Sequence, residues 1–289
     1  MMENRRFWKM SGSGNDFVFI DGRDGRTEDY QSAEVIQRIC ARGTGIGADG
    51  LVILTGPQEG RSDAGLIYYN ADGSRAALCG NATLCTANLA VRLGAVQPTG
   101  FALQTDSGVL AARIRSGLPE FDVPAVQQVQ AAYEPIALEG EELRLGFANV
   151  GIPHVVVQVP DVSAVDVVGR GRVIREHPSL VAGANANFVS RDGGGADSGT
   201  GTDSGRSTSR WRIRTYERGV EAETLACGSG SVATAILLRT WGEAGDDVEL
   251  VTASGRVLGI RMSRGSDGIW SASLRGEGRL VYEGETRDL

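Results

Sequence analysis

The second half of this 289-residue chain restates the first. Residues 79–95 read CGNATLCTANLAVRLGA and residues 227–243 read CGSGSVATAILLRTWGE. Each segment opens on Cys-Gly, passes through small polar residues, and continues as an apolar stretch of helical length that stops at a glycine, Gly94 or Gly242. A strand-like run and a turn follow in each half: Phe101 to Gly108 (FALQTDSG) and Val248 to Gly255 (VELVTASG). Strand-like runs also precede each cysteine, at Leu66 to Asn70 and Ile213 to Arg218. The match is ordered over about 45 residues with a period of roughly 148, half the chain. Such a chain is expected to fold as two similar domains facing each other, with a site in the cleft between them. The helices expected from Asn81 and Ser229 are apolar on most faces. A helix apolar all round is buried, so each half is expected to wrap a sheet around its helix. Short strands with Gly- and Asp-rich turns are expected at Gly50 to Leu54, Val109 to Ile114, Pro153 to Val159 and Arg256 to Met262.

Composition narrows the function classes. The formal net charge is −7, and the basic residues are almost all single, scattered arginines. Nucleic-acid binding is therefore not expected. No apolar run approaches the roughly 20 residues that a bilayer span requires, and no apolar stretch follows Arg5 and Arg6 as a signal peptide would need. A cytoplasmic protein is expected. Of the 41 glycines, several fall in polar clusters such as 11–15 and 43–47, which read as turns that something must approach closely. Residues 192–209 are different. Low in complexity and nearly without apolar side chains, they are expected to form a flexible surface loop.

The four cysteines are Cys40, Cys79, Cys85 and Cys227. A chain of this length needs no disulfide staples, and the two histidines, His154 and His177, are remote from every cysteine, so no zinc site is expected. Cys40 and Cys85 read as small buried hydrophobes. Cys79 and Cys227 each stand where a buried helix is expected to begin. There the unpaired N–H groups and the helix dipole favour a thiolate, and the same N–H groups can hold a carboxylate. Two such ends could hold one amino-acid carboxylate. One sulfur would then remove the α-proton while the other protonates the opposite face. Hydrogen bonds to the carboxylate would stabilise the carbanion. No cofactor is required. The only lysine is Lys9, in a strand-like run, so no lysine for pyridoxal phosphate is expected.

The residues also carry a family resemblance. GNDF at 14–17, GIGADG at 45–50, NADGS at 70–74, CGN at 79–81, Pro153-His154, YERG at 216–219 and ETLACGSG at 223–230 follow one another as they do in diaminopimelate epimerases. The chain resembles that family over almost its full length. The resemblance implies a mixed α/β (α+β) fold of two pseudo-symmetric domains, each a curled mixed sheet around a central helix. Expected boundaries are 1–123 with a returning strand at about 276–289, and 124–275. It implies reversible, cofactor-free conversion between LL- and meso-2,6-diaminopimelate, a step of lysine and peptidoglycan synthesis. It makes Cys79 and Cys227 the acid–base pair, and Gly80, Asn81, Gly228 and Ser229 the α-carboxylate cradle. Asn15, Asn70, Asn185, Glu217 and Arg218 become substrate contacts, with Arg218 on the distal carboxylate. His154 and Glu217 become modulators of the cysteine pKa values. The expected partner is a small amino-acid substrate, with room left for a homodimer.

The chain departs from the family pattern at several places. Ile152 stands where an Asn often precedes Pro-His, Ser11 where a His is common, Ala82-Thr83-Leu84 where Gly-x-Arg is common, and Gly50 where some relatives have Gln. The cysteine pair survives every departure. Three alternatives stay open at this point: a two-cysteine racemase for another amino acid such as histidine or a proline-like substrate, a non-catalytic amino-acid-binding protein, and a thiol redox sensor.

Overall fold

A computed structural model describes residues 4–193 and 209–286. All of the Gly/Ser-rich loop expected at 192–209 except its ends lies outside the described residues. The chain divides into two compact units, one made of residues 1–122 and 275–289, the other of residues 123–274. Among the described residues no helix is long and apolar enough to cross a membrane.

Both units are sheet-dominated and follow one strand plan. In the first, Arg6–Gly12 pairs antiparallel with Asn15–Asp21, which runs parallel to Gly50–Thr55, which pairs antiparallel with Ala64–Asn70. Ala64–Asn70 then runs parallel to Phe101–Thr105, itself antiparallel to Gly108–Arg115. The second unit repeats the sequence of pairings. Arg144–Val150 is antiparallel to Ile152–Gln158, which is parallel to Asn185–Arg191, which is antiparallel to Ser209–Glu217. Ser209–Glu217 then runs parallel to Asp247–Val251, antiparallel to Val257–Arg264. A short strand in each half, Arg75–Ala76 or Ala222–Thr224, leads into the cysteine.

Helices fill the crossovers at matching places. In the first unit, α1 (Ala33–Cys40) and α2 (Gly80–Arg92) do so; in the second, α3 (Val167–Arg175) and α4 (Gly228–Thr240). α1 and α3 are outer helices with one apolar face. Their first turns are capped by side chains: Ser32 accepts from Val35 N–H at 3.3 Å, and Asp166 from Gly169 N–H at 3.0 Å. Beneath α1 lie Val18, Ile20, Leu51 and Ile53; Val155, Val157, Ala186 and Phe188 belong to the corresponding α3 cluster. The intervening residues Phe17, Phe19, Val156 and Asn187 point to the other face and are also buried. Strands covered on both faces therefore read as largely apolar runs, with Asn185–Arg191 the exception.

α2 and α4 are the central helices. Most of their residues are buried, and strands of their own unit pack around each one. Each ends at a glycine with positive φ, Gly94 at 66° and Gly242 at 78°. There the chain turns back so that Ala95 N–H reaches Ala90 O and Glu243 N–H reaches Leu238 O, both at 2.9 Å. This left-handed helix stop explains the repeated terminal glycine. Gly12 marks the close approach of a strand to α2, since a methyl group there would come 2.9 Å from Asn81 O and 3.0 Å from Cys85 Sγ.

Candidate active site

Cys79 and Cys227 are both N-caps of central helices. Their backbones agree closely, with φ −132° and ψ 118° at Cys79, and φ −123° and ψ 112° at Cys227. Each carbonyl accepts both the amide and the hydroxyl of the residue four positions on: Thr83 at 2.9 and 2.9 Å, Ser231 at 2.9 and 2.8 Å. That shared bonding holds each thiol at the open, N–H-bearing end of its helix. None of the four cysteines is in a disulfide. Cys40 and Cys85 are buried, and burial pushes both thiols up, Cys40 to about 11.

From Asn81, two residues after Cys79, a chain of amides and ions runs through the first unit. Asn81, the second residue of α2, is buried and donates to Asn15 Oδ1 at 2.6 Å; Asn15 donates in turn to Asp49 Oδ2 at 3.1 Å. Arg42 bridges Asp16 and Asp49, each at 2.7 Å, and the buried Lys9 pairs with Asp16 at 2.7 Å while donating to Gly47 O. Burial alone would raise the Asp16 pKa, but Arg42 and Lys9 hold it below the ordinary carboxylate value. The GNDF and GIGADG segments are thus one interlocked structure. Asn70 is more structural than its motif suggests. Its Oδ1 accepts from Tyr68 OH at 2.9 Å and its amide donates to Ser74 Oγ at 3.0 Å. Gly50 needs its missing side chain, because a methyl group there would come 2.6 Å from the Tyr68 ring.

Around Cys227 the second unit sets donors and an acid. The sulfur accepts from Gly230 N–H at 3.4 Å and from the Asn185 amide at 3.7 Å, and lies 3.6 Å from Ser229 Oγ. Glu217 is hydrogen-bonded to this thiol and accepts from Thr224 Oγ1 at 2.7 Å. The expectation of a favoured thiolate is corrected here. Burial pushes the Cys227 thiol up and the Glu217 carboxylate pushes it further, while the bonds from Gly230 and Ser229 pull it down too weakly to compensate. Glu217 is itself raised by burial. Burial and the neighbouring carboxylate both favour the protonated thiol at Cys227.

The remaining expected residues separate. Asn185 is buried and accepts from Arg218 N–H at 2.8 Å, so it ties the YERG turn to the cysteine. The Arg218 guanidinium donates to Ala182 O at 2.8 Å. His154 is fully buried, and its Nδ1 lies 3.3 Å from the Asn187 amide. Burial and the Arg218 charge push it down to about 3, so its imidazole is neutral. Ile152 opens the strand that carries His154, just after the tight turn at Gly151. Glu223, inside the ETLACGSG segment, forms a two-bond ion pair with Arg214, both contacts at 2.7 Å.

The family model described as Diaminopimelate epimerase matches residues 7–122 and 146–269. The chain belongs to the diaminopimelate epimerase family. A diaminopimelate epimerase of Gemmatimonas aurantiaca is 42% identical over 292 residues, covering 98% of this chain and 99% of its own. One of Aquifex aeolicus is 35% identical and covers 96% of each chain. Among solved structures, a PhzF-family phenazine biosynthesis protein of Bacillus anthracis superposes with a TM-score of 0.72 at 16% identity, covering 99% of this chain and all of that one. A hydroxyproline epimerase of Agrobacterium vitis, with trans-4-hydroxy-L-proline bound, gives 0.65 at 17% identity, covering 98% and 92%. These last two share the fold. The matched segments contain both cysteines and both central helices.

Sequence reasoning missed Asn187, Thr215 and Tyr68. Asn187 had a signal, a second amide two residues after Asn185 in a strand buried on both faces. Tyr68 and Thr215 looked like ordinary strand residues.

Proposed function

We propose that this chain is an isomerase that interconverts LL- and meso-2,6-diaminopimelate by a two-thiol mechanism. The observation that carries the reading is the matched pair of thiols, each capping a buried central helix with the same backbone and the same carbonyl bonding. The reaction moves one proton at one α-carbon. One sulfur, as thiolate, takes the α-hydrogen and becomes a thiol. The other, as thiol, gives its hydrogen to the opposite face and becomes a thiolate. Atoms and charge balance, and the reverse reaction exchanges the roles.

The α-proton is weakly acidic, so the carbanion must be held by donors to the carboxylate. Gly80 and Asn81 on α2, and Gly228 and Ser229 on α4, supply helix N-terminal N–H groups for this. A protonated Cys227 is the acid in one direction of the reaction, with Cys79 as the base. Glu217 receives or returns the proton as Cys227 changes state. Arg218 and the amides of Asn15, Asn70 and Asn185 suit a distal end that carries both an ammonium and a carboxylate. The cytoplasm and a homodimer remain part of this reading.

The test is incubation of reduced protein with LL-diaminopimelate in deuterated water, with no added cofactor. The expected product is the meso isomer carrying deuterium at the inverted α-carbon. Inertness toward diaminopimelate with racemisation of another amino acid would replace the substrate and keep the mechanism. No exchange with any amino acid would contradict both.

A further inference from the structure

The two units place their strands in the same register, so positions can be compared across them. His154 faces Asn185, and Phe17 faces Gly50, in the first parallel pair of each unit. Asn187 faces Thr215, and Val52 faces Tyr68, in the antiparallel pair that follows. Three residues after the cysteine stands Gly230 in one half and Ala82 in the other. The first unit therefore buries Phe17, Val52, Tyr68 and Ala82 where the second buries His154, Asn187, Thr215 and Gly230. Burying polar groups costs stability unless each is satisfied, and the first unit shows that the fold does not need them.

Asn187 is the centre of the polar set. Its Nδ2 donates to Val155 O at 3.0 Å, and its Oδ1 accepts from Thr215 Oγ1 at 3.0 Å. A carbonyl can only accept, so the amide cannot be turned round. The same Nδ2 lies 3.3 Å from His154 Nδ1. That nitrogen must then be the acceptor, and the neutral imidazole carries its proton on Nε2, which is buried and has no partner among the described residues. On its other side Asn187 presses on α4. A methyl group at Gly230 would come 2.2 Å from Asn187 Oδ1 and 3.2 Å from Cys227 Sγ. One side chain thus touches both the imidazole and the residue whose N–H bonds the sulfur.

We propose that Asn187 is a positioning residue of the epimerisation site, which locks His154 as the Nε2–H tautomer and seats the first turn of α4 under Cys227. His154 is then a fixed hydrogen-bond donor and not a base. Thr215 supports the lock by holding the amide oxygen. The proposal rests on the epimerase reading only for the reaction it serves.

The test uses the imidazole nitrogens of the whole ¹⁵N-labelled protein. There are two histidines, and His177→Gln assigns the signals. Arg218 is the charged group that acts on His154. The His154 spectrum should show Nε2–H and stay unchanged from about pH 5.5 to about pH 8.5. In Asn187→Asp the carboxylate should draw the proton to Nδ1, and kcat should fall roughly tenfold or more, with KM changed less than about threefold. Asn187→Ser, which keeps one donor, should recover part of kcat. An Nδ1–H tautomer in the unmodified protein, or titration near pH 6.5, would overturn the proposal. So would full kcat in both Asn187 variants. The spectrum needs no substrate and no variant of Asn187. Its failure is therefore separable from failure of the epimerase reading, and it decides the matter even if Asn187→Asp does not fold.

Discussion

The two thiol-bearing helix starts share a backbone and differ in burial and in the side chains at the matching strand positions. Cys79 is half-buried, above a sheet whose matching positions hold Phe17, Val52 and Tyr68, with the Phe17 and Tyr68 rings packed edge to face 5.9 Å apart. Cys227 is buried, bonded to Glu217, Asn185 and Gly230, above His154, Asn187 and Thr215. The repeat supplies equivalent positions for two acid–base groups. The divergence between the halves makes the groups unequal. One consequence is that a helix N-terminus does not by itself produce a thiolate. At Cys227 the favourable end of α4 is outweighed by removal from water and by a neighbouring carboxylate.

The largest effect should come from removing either thiol. Cys79→Ala and Cys227→Ala should each lower epimerisation at least about a thousandfold from both isomers, because inversion needs a base and an acid together. Activity assays from LL and from meso substrate check this. A variant that stays active in one direction would break the equivalence of the halves.

Glu217→Gln should be next. Without the carboxylate charge the Cys227 thiol should ionise at lower pH, while kcat falls about ten- to a hundredfold through loss of the proton partner. Site-resolved alkylation against pH reads the thiol directly. The Cys227 profile should move to lower pH in the variant. An unmoved profile would remove Glu217 as a cause of the raised pKa.

Gly230→Ala and Ala82→Gly then form a matched pair. The first drives a methyl group toward Asn187 and should destabilise the protein by about 1–3 kcal/mol. The second frees a helix position and removes one buried methyl group, and should cost about 1 kcal/mol. Chemical denaturation compares them, and a larger loss at position 82 would contradict the tight seat assigned to α4.

The last prediction is a pH dependence of stability. His154 is neutral in the fold, with its pKa pushed down to about 3 from 6.5. The unfolded chain therefore binds a proton that the fold does not, and stability falls as pH drops from 6.5 toward 3. Above pH 6.5 this residue contributes no slope. Replacing His154 by Phe, the residue at the matching place in the first unit, should flatten the acid side of the profile. An unchanged slope in urea unfolding below pH 6.5 would show that His154 is not the group responsible.

Much of this was legible in the sequence, and the reasons are local. The Cys-Gly pair, the apolar stretch and the stopping glycine read directly as a helix with defined ends, and α2 and α4 run from Gly80 and Gly228 to the turns at Gly94 and Gly242. The segments from GNDF to ETLACGSG identified the family that the family model and relatives show. What stayed hidden depends on neighbours distant in the chain. The raised Cys227 thiol follows from how deeply α4 is buried and from Glu217 on a separate strand. Asn70 is bound to Tyr68 and Ser74, and the Arg218 guanidinium to Ala182 O; motif matching treats both only as substrate contacts. Asn187 acts through a register between strands that no spacing rule announces.

One sulfur per face is the central claim, and the serine variants test it most directly. Cys79→Ser and Cys227→Ser each leave one working thiol, which should still exchange the α-proton that it can reach. With a substrate analogue that eliminates a leaving group from the β-carbon once the α-proton is lost, turnover reports that abstraction alone. Measured on both α-stereoisomers, the two variants should prefer opposite ones. The same preference in both variants would contradict the account.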